Sequence, residues 1–165
     1  MTDLVTNQDL DPQQLRQAFG IFPTGVVAVA AEVDGVLVGL AASSFTSVSI
    51  DPPLVSFSIA RASKTWPDLR RSAHVGVTVL ADHQHAVCRQ LAGEPLHRFD
   101  GVPVRVSGDG AVTLDEGLAR FDCTIYSEVE AGDHMVVLLE LHAVDQNDTS
   151  NPLVFHRSAF GKLAG

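Results

Sequence analysis

An Asp-Gly pair between two short apolar runs constrains the fold of this chain more than any other feature of its sequence. Residues 26–31 and 36–41 are rich in Val, Ala and Leu, and Asp34-Gly35 lies in the connection between them. Both central residues of a type I′ turn need a positive φ, which Gly adopts freely and Asp tolerates. The sequence therefore predicts a β-hairpin near its start.

Strand-like segments recur along the rest of the chain. Further strands are predicted at residues 44–50, 54–60, 74–80, 120–129, 135–144 and 153–156. Residues 94–118 hold several glycines and are predicted to be rich in loops. The hairpin-length connections favour an antiparallel arrangement over a βαβ sheet. The pattern predicts a mainly β fold, a closed or partly closed antiparallel barrel with a few short helices.

Three helices are predicted beside the strands. The first covers about 11–20, with Asp11 as its N-cap. A second, short helix follows Thr65, because Thr65 and Asp68 have the spacing of a capping box. The third covers about 83–92 and ends near a glycine.

Length and charge bound the functional classes. The 165 residues suffice for one domain, expected over 11–165 after a flexible tail at 1–10. The formal net charge of −9 argues against a broad nucleic-acid or membrane-binding face. No apolar run is long enough to cross a bilayer, and nothing at the start of the sequence resembles a secretory signal. We expect a cytoplasmic protein.

Most reaction signatures are absent from the sequence. Cys88 and Cys123 have no metal-ligand spacing, and His83 and His85 would point apart in a helix. No bound metal ion is therefore expected. There is also no G-x-G-x-x-G fingerprint, so a nicotinamide cofactor would have to bind without a Rossmann fold.

Small hydroxyl residues near the ends of adjacent predicted strands form the first candidate site. They are Thr24, Ser43, Ser44, Thr46, Ser47, Ser49, Ser56 and Ser58. One interpretation is the polar outer face of a barrel. The other is a rim that hydrogen-bonds a planar heterocycle such as isoalloxazine, with Gly25 and Ala42 permitting close approach.

Two further segments have local chemistry of interest. Residues 61–65 (Arg-Ala-Ser-Lys-Thr) combine two hydroxyls, two cations and a helix start, which suits an anion. The alternative is an ordinary capped helix with surface charges. Residues 132–134 (Gly-Asp-His) are either a plain hairpin turn or a means of presenting His134 to a nicotinamide carboxamide or a reduced flavin.

Taken in chain order, these segments resemble the flavin reductase-like family, the FMN-binding split barrels. The resemblance is greatest to the short NAD(P)H:flavin oxidoreductases that serve two-component monooxygenases, and it runs from about Leu15 to Leu163. The matching stretches are Phe22-Pro23-Thr24-Gly25-Val26, Ser43-Ser44-Phe45-Thr46-Ser47-Val48-Ser49, Asp51-Pro52-Pro53-Leu54-Val55, Ser63-Lys64-Thr65, Arg98-Phe99-Asp100-Gly101-Val102, Gly132-Asp133-His134, Pro152-Leu153-Val154-Phe155 and Phe160.

The resemblance implies a split β-barrel that dimerises, with FMN or FAD near the subunit interface and NADH or NADPH as electron donor. It implies a site for the flavin ring and ribityl chain at Thr24, Ala42, Ser43, Ser44, Phe45, Ser47 and Ser49. It also implies a phosphate site at Ser63, Lys64 and Thr65, which we extend to Arg61, and a cavity with Arg98, Phe99 and Phe160 nearby. His134 is the one catalytic candidate, placed toward the nicotinamide.

The function so predicted is an NAD(P)H:flavin oxidoreductase that transfers hydride to FMN or FAD and supplies reduced flavin to a partner oxygenase. Alternatives are a split barrel that binds flavin for storage or sensing, and a dimerisation module that binds nothing. Many relatives carry Thr at Ala41, Asn at Ser43 and Tyr at Phe160, so flavin preference is the least defined part of the prediction.

Overall fold

The structure, a computed structural model, describes residues 4, 6 and 9–165. The flexible tail predicted at 1–10 lies largely outside the described residues. The helices are α1 Pro12–Gly20, α2 Trp66–Leu69 and α3 His85–Leu91. The strands are β1 Thr24–Gly25, β2 Val27–Val33, β3 Val36–Ala42, β4 Thr46–Ser49, β5 Leu54–Ala60, β6 Val75–Val79, β7 Val104–Val106, β8 Val112–Leu114, β9 Ala119–Ala131, β10 His134–Gln146, β11 Leu153–His156 and β12 Ala159–Lys162.

The main sheet has seven strands in the order β3-β2-β6-β9-β10-β5-β4, and every pair is antiparallel. It curls until its end strand β3 lies beside β5. A three-stranded sheet (β1-β11-β12) and the β7-β8 hairpin complete the fold. The predicted mainly β, antiparallel class is confirmed. The described strands form a curled sheet that stays open between its ends, β3 and β4.

The predicted hairpin between β2 and β3 is confirmed. Asp34 and Gly35 have φ angles of 52° and 75°, as a type I′ turn requires. The strands pair from Val33 opposite Val36 to Val27 opposite Ala42. Because β3 ends the main sheet, its other side pairs with no strand in the described part of the chain.

Two apolar clusters stabilise the fold. The larger one fills the curled sheet and includes Val29, Phe57, Trp66 and Val77. The smaller cluster, which includes Cys88, packs α3 and β11 against the outside of β2. Since non-polar area removed from water is the main favourable contribution to folding, these clusters fix the positions of α2 and α3 beside β3.

Helix α1 begins as predicted but is unburied. The Asp11 carboxylate accepts hydrogen bonds from the amides of Gln13 and Gln14, at 2.8 and 3.0 Å. None of the nine residues of α1 is buried. Phe19 and Phe22, at and just after its end, are 71% and 75% exposed.

Four predictions of local structure need correction. Residues 94–118 contain the β7-β8 hairpin, and β12 follows the segment 153–156, after which no strand was predicted. The predicted strand 44–50 shortens to β4, because the Ser44 hydroxyl bonds the Ser58 backbone where a ladder would otherwise begin. The predicted helix at 83–92 starts later, as α3, after a 3-10 turn.

No helix in the described part of the chain has both the length and the apolar character needed to span a membrane.

Candidate active site

Two cavities open along β3 and contain many of the predicted site residues. The first, here called the Ser43 pocket, has a volume of about 230 Å³ and is lined by Val26, Ala41, Ala42, Ser43, Cys88, Arg89, Ala92, Phe155 and Phe160. The second, the Lys64 cleft, has a volume of about 450 Å³ and is lined by Val36, Leu37, Val38, Gly39, Lys64, Thr65, Asp68, Pro95, Leu96, Arg98, Phe99 and Asp100. Both cavities are lined by residues of β3, and a strand rises about 3.3 Å per residue, so they lie near one another along it.

The Ser43 pocket combines apolar walls with one hydroxyl and one cation. The ring centroids of Phe155 and Phe160 are 5.7 Å apart, and the Arg89 guanidinium carbon is 5.1 Å from the Phe160 centroid. Burial raises the pKa of the Cys88 thiol, so this part of the wall is uncharged at neutral pH. Such a pocket suits a flat, largely apolar ring with a few polar edge atoms.

Arg98 connects the Lys64 cleft to β3. Its guanidinium donates to the Gly39 carbonyl and to the Thr65 hydroxyl, both at 2.9 Å, and to the Gly93 carbonyl at 3.0 Å. Lys64 is exposed beside it. Two cations and a hydroxyl therefore line the same cleft, and this is a donor set that suits a phosphate.

The helix start at 61–65 differs from the predicted capping box. The Ser63 hydroxyl accepts from the amides of Thr65 and Trp66, at 3.3 and 3.2 Å. The Thr65 side chain makes no cap hydrogen bond to α2. Ser63 therefore shapes the turn, while the Thr65 hydroxyl faces Arg98 and the cleft.

Besides Thr24, four of the predicted contacts to the flavin ring and ribityl chain line neither cavity. Ser44 donates to the Ser58 carbonyl at 3.1 Å and accepts from the Ser58 amide at 2.8 Å. Phe45 stacks on Phe121, with ring centroids 6.2 Å apart. The other two, Ser47 and Ser49, lie on the end strand β4. Their flavin-binding role stays a prediction.

Thr24 lies on β1 opposite Phe155, whose side chain lines the Ser43 pocket. Its hydroxyl oxygen is buried and has no hydrogen-bond partner within the described residues. An unpaired buried hydroxyl costs about 1–3 kcal/mol, so a polar ligand atom that paired with it would be favoured.

His134 and Arg61 lie beside one another but outside both cavities. His134 opens β10 opposite Ala60, and the Arg61 amide donates to the Asp133 carbonyl at 2.9 Å. The His134 Nδ1 is 2.7 Å from the Asp133 carboxylate, and this hydrogen bond lowers the pKa of Asp133. The Arg61 side chain is exposed and 3.6 Å from Glu130.

The residues along β3 fit a flavin mononucleotide unit. The donor set at Lys64, Thr65 and Arg98 suits its phosphate, and the Ser43 pocket suits its ring. Residues 19–164 match the family model described as the flavin reductase like domain. The chain belongs to this family.

Known members of the flavin reductase-like family match nearly the whole chain. A flavin reductase of Pseudomonas putida is 37% identical over 161 residues, which cover 97% of this chain and 95% of that protein. The flavin-dependent monooxygenase reductase subunit HsaB of Rhodococcus jostii (strain RHA1) is 33% identical over 156 residues, covering 94% and 80%.

A solved structure also matches nearly the whole chain. The NADH:FAD oxidoreductase SgcE6 of Streptomyces globisporus C-1027, in complex with NAD and FAD fragments, aligns with a TM-score of 0.90 at 30% identity. The alignment covers 99% of this chain and 98% of that one. The predicted family and its split-barrel fold are confirmed, and flavin reduction is the activity for which these relatives are named.

Within this flavin reductase-like fold, sequence reasoning missed residues that help to form the site. Arg89 lines the Ser43 pocket although it lies within a predicted helix, where a cation reads as a surface residue. Gly39 allows close packing, because an added Cβ would lie 2.7 Å from Phe99 Cζ and 2.8 Å from the Val29 carbonyl oxygen. A glycine inside a predicted strand was the available signal for such an approach.

Proposed function

We propose that this protein oxidises NADH or NADPH and reduces FMN or FAD, and that the reduced flavin passes to a separate oxygenase. One observation carries the proposal: the Ser43 pocket and the Lys64 cleft, which contains two cations, are both lined by residues of β3. A flavin nucleotide has a ring and a phosphate joined by an extended chain. The site matches that order of chemical groups.

The phosphate end is held by charge-assisted hydrogen bonds. Lys64 contributes an exposed cation, Thr65 a hydroxyl, and Arg98 a guanidinium already oriented by the Gly39 carbonyl. Because the Arg98 side chain is ordered before the ligand binds, less conformational entropy is lost on binding. Because the chain is acidic overall, this local set is what attracts an anion.

The ring end is held by packing and by polar edge contacts. Phe155 and Phe160 contribute apolar faces, and Ser43 offers a hydroxyl. When bound, the flavin supplies the electron-accepting chemistry that no side chain of the site offers. The protein contributes orientation, since reacting groups must approach to about 3–3.5 Å.

His134 orients the nicotinamide in this proposal. Its Nδ1 is engaged by Asp133, so its Nε2 is left to contact the ligand. In the neutral ring, Nδ1 donates to the carboxylate and Nε2 accepts from an amide N–H; when protonated, Nε2 donates. A carboxamide has both kinds of group, so either state of His134 can hold it.

A homodimer is the assembly that we propose. Phe19, Ile21 and Phe22 form an apolar patch at the end of α1, with exposed fractions of 71%, 57% and 75%. Contiguous apolar surface of this kind is typical of protein–protein interfaces. The seven-stranded sheet leaves α1 unburied, so a second copy of the chain is the simplest way to cover it.

We also propose that the protein works in the cytoplasm. Cys88 and Cys123 are both buried free thiols. Burial raises the pKa of Cys123 to about 12, which leaves its thiol unreactive. Unpaired thiols are usual in a reducing compartment, where NADH and NADPH are also available.

The test is oxidation of NADH and of NADPH by the purified protein, with and without added FMN, FAD or riboflavin. We expect turnover to require added flavin and to depend on it with saturation kinetics. If fluorescence quenching shows that flavin binds but neither nucleotide is oxidised, the enzymatic function is refuted. Flavin storage or sensing would then remain as the function.

A further inference from the structure

Two histidines that have no part in the proposed flavin site lie side by side against the main sheet. The ring centroids of His74 and His142 are 5.3 Å apart. His74 immediately precedes β6, and His142 lies in β10. The two residues are far apart in the sequence, so no local metal-ligand spacing reveals them.

A β-bulge sets the position of His142. The pairing of β10 with β9 shifts between Leu141 and Ala143, which leaves His142 as the extra residue of the bulge. Bulges occur often beside functional sites, where they redirect a side chain. Here the redirected imidazole lies beside that of His74.

Strand β9 engages one nitrogen of each imidazole. His74 Nδ1 is hydrogen-bonded to the Asp122 carboxylate, and His142 Nε2 is 2.7 Å from the Thr124 hydroxyl oxygen. The nitrogens left for a ligand are His74 Nε2 and His142 Nδ1. Histidines that bind metals are usually held in this way, because a hydrogen bond at one nitrogen fixes the ring and its tautomer for coordination by the other.

The separation of the two rings fits a shared ion. A zinc ion lies about 2.0–2.1 Å from an imidazole nitrogen, and therefore about 3.2 Å from the ring centroid. Two such centroids at a tetrahedral angle are about 5.2 Å apart. The distance of 5.3 Å between the centroids of His74 and His142 therefore suits two imidazoles that bind one ion.

Asp109, in the turn between β7 and β8, offers a third ligand. Its carboxylate is 4.0 Å from His74 Nε2, whereas two ligand atoms on one tetrahedral zinc ion are about 3.4 Å apart. In the described part of the chain, no three histidine, cysteine or carboxylate groups are already arranged around an ion. The Asp109 side chain is 70% exposed, so it can move the remaining distance without displacing packed atoms.

We propose that His74, His142 and Asp109 bind a divalent transition-metal ion of the zinc type, with water as the fourth ligand. Imidazole and carboxylate groups together are ligands that Zn²⁺ accepts in tetrahedral sites. The ion joins the β7-β8 turn to β6 and β10, so its role is to stabilise the fold. None of the three residues lines the Ser43 pocket or the Lys64 cleft, and the proposal is independent of flavin reduction.

The test is a zinc titration of the protein without an affinity tag, after bound metals have been removed with a chelator. Calorimetry gives the number of ions per chain and the dissociation constant, and thermal unfolding gives the stabilisation. We expect one ion per chain with micromolar affinity. At a zinc concentration about a hundred times the dissociation constant, the melting temperature should rise by about 5 °C or more.

Variants locate the ion. His74→Gln and His142→Ala should each weaken zinc binding by about tenfold or more, and Asp109→Asn should weaken it by about threefold or more. His83→Ala is the matched control, because His83 Nε2 also lies near a carboxylate, that of Glu116 at 3.4 Å, outside this cluster. Circular dichroism shows whether each variant folds. His142 is exposed, so His142→Ala decides the matter if His74→Gln does not fold.

Two results would overturn the proposal. One is zinc binding that is absent at millimolar concentrations or equally strong in the wild type and His142→Ala. The other is binding that is lost only in His83→Ala, which would place the ion at His83. The titration contains no flavin or nucleotide, so failure of the oxidation assay would overturn the proposed function separately.

Discussion

At the scale of single residues, Arg98 has two roles, as a cation in the cleft and as a link between β3 and the turn before α2. Its guanidinium contacts oxygens of Gly39, Thr65 and Gly93, which lie far apart in sequence. Lysine cannot make three such contacts from a planar fork. The position therefore requires arginine for geometry as well as for charge.

Arg98→Ala should weaken FMN binding by about tenfold or more, because a hydrogen bond to a charged group contributes about 1.5–3 kcal/mol. The affinity for riboflavin, which has no phosphate, should fall less. Fluorescence quenching titrations measure both dissociation constants. Arg105→Ala is the matched control, since Arg105 is exposed and pairs with Asp115 outside the cleft. Equal losses for FMN and riboflavin would show that Arg98 only supports the structure.

His134→Ala should raise the KM for the nicotinamide nucleotide several-fold and lower kcat, with the flavin dissociation constant unchanged. The reason is the loss of an oriented contact to the carboxamide, about 1 kcal/mol. Steady-state kinetics at several pH values measure both KM and kcat. His142→Ala serves as control, because His142 is an exposed residue of the same strand that bonds Thr124. Unchanged kinetics for His134→Ala would exclude the orienting role.

The sequence predicted the phosphate segment at 61–65 but not the separate roles of its two hydroxyl side chains. Thr65 has the spacing of a helix cap, yet Ser63 provides the capping hydroxyl and Thr65 bonds Arg98. Capping depends on the backbone angles of the turn, and the partner of Thr65 lies 33 residues away. The spacing of Thr65 and Asp68 in the sequence reveals neither the backbone angles of the turn nor this distant partner.

At the scale of secondary structure, Glu128 ties α2 to β9. Its carboxylate accepts from Trp66 Nε1 at 2.7 Å and from Arg70 at 2.6 Å. The Arg70 hydrogen bond lowers the pKa of Glu128, and burial opposes that shift. Since α2 follows the phosphate segment directly, this contact also fixes where Lys64 and Thr65 lie.

Glu128→Gln should lower the free energy of unfolding at pH 7 by about 1–2 kcal/mol. A carboxyl whose pKa is lowered by folding stabilises the protein above its unfolded pKa, about 4.3, and this contribution is lost as the pH falls through the folded value. The difference between wild type and Glu128→Gln should therefore shrink below about pH 4. Urea unfolding across pH measures it.

Glu130→Gln is the control for this prediction. Glu130 is 73% exposed in its side chain and 3.6 Å from Arg61, and exposed ion pairs contribute about 0–1 kcal/mol. It should change the unfolding free energy little. A constant difference between wild type and Glu128→Gln from pH 7 to pH 3 would contradict the role given to the Glu128 charge.

Gly76→Ala should destabilise the fold by several kcal/mol, or prevent folding. An added Cβ would lie 2.0 Å from the Val112 carbonyl oxygen, where β8 crosses β6, and a backbone atom cannot rotate away. Thermal unfolding followed by circular dichroism measures the change. Gly161→Ala is the control, because its added Cβ would have no atom within 4 Å. Equal stability of the two variants would contradict this packing argument.

The same crossing explains which strands the sequence could predict. β9 and β10 are long and strongly patterned, so their existence was evident. β7 and β8 have three residues each, and Val112 and Leu114 become fully buried only because β2 and β6 lie beneath them. Short strands of this kind are defined by tertiary contacts, and their residues read locally as loop.

At the scale of the whole molecule, Phe22→Asp should convert the proposed dimer to a monomer. It places a charge on an apolar patch whose burial would stabilise association. Light scattering after size-exclusion chromatography measures the mass. Val144→Asp is the control, because Val144 is 63% exposed on β10, away from α1. A wild type that is monomeric at all concentrations would refute the dimer.

The exposed side of β3 bears on how the protein can be stored. An end strand with free amide and carbonyl groups is a template on which a second molecule can extend the sheet. Arg98 covers the Gly39 carbonyl, but the amide and carbonyl of Leu37, which face the same side of β3, remain open to such pairing. A bound nucleotide would cover them. Ligand-free preparations should therefore aggregate at a lower protein concentration than ligand-saturated ones. The nucleotide on which the protein acts would then also protect it from aggregation during storage.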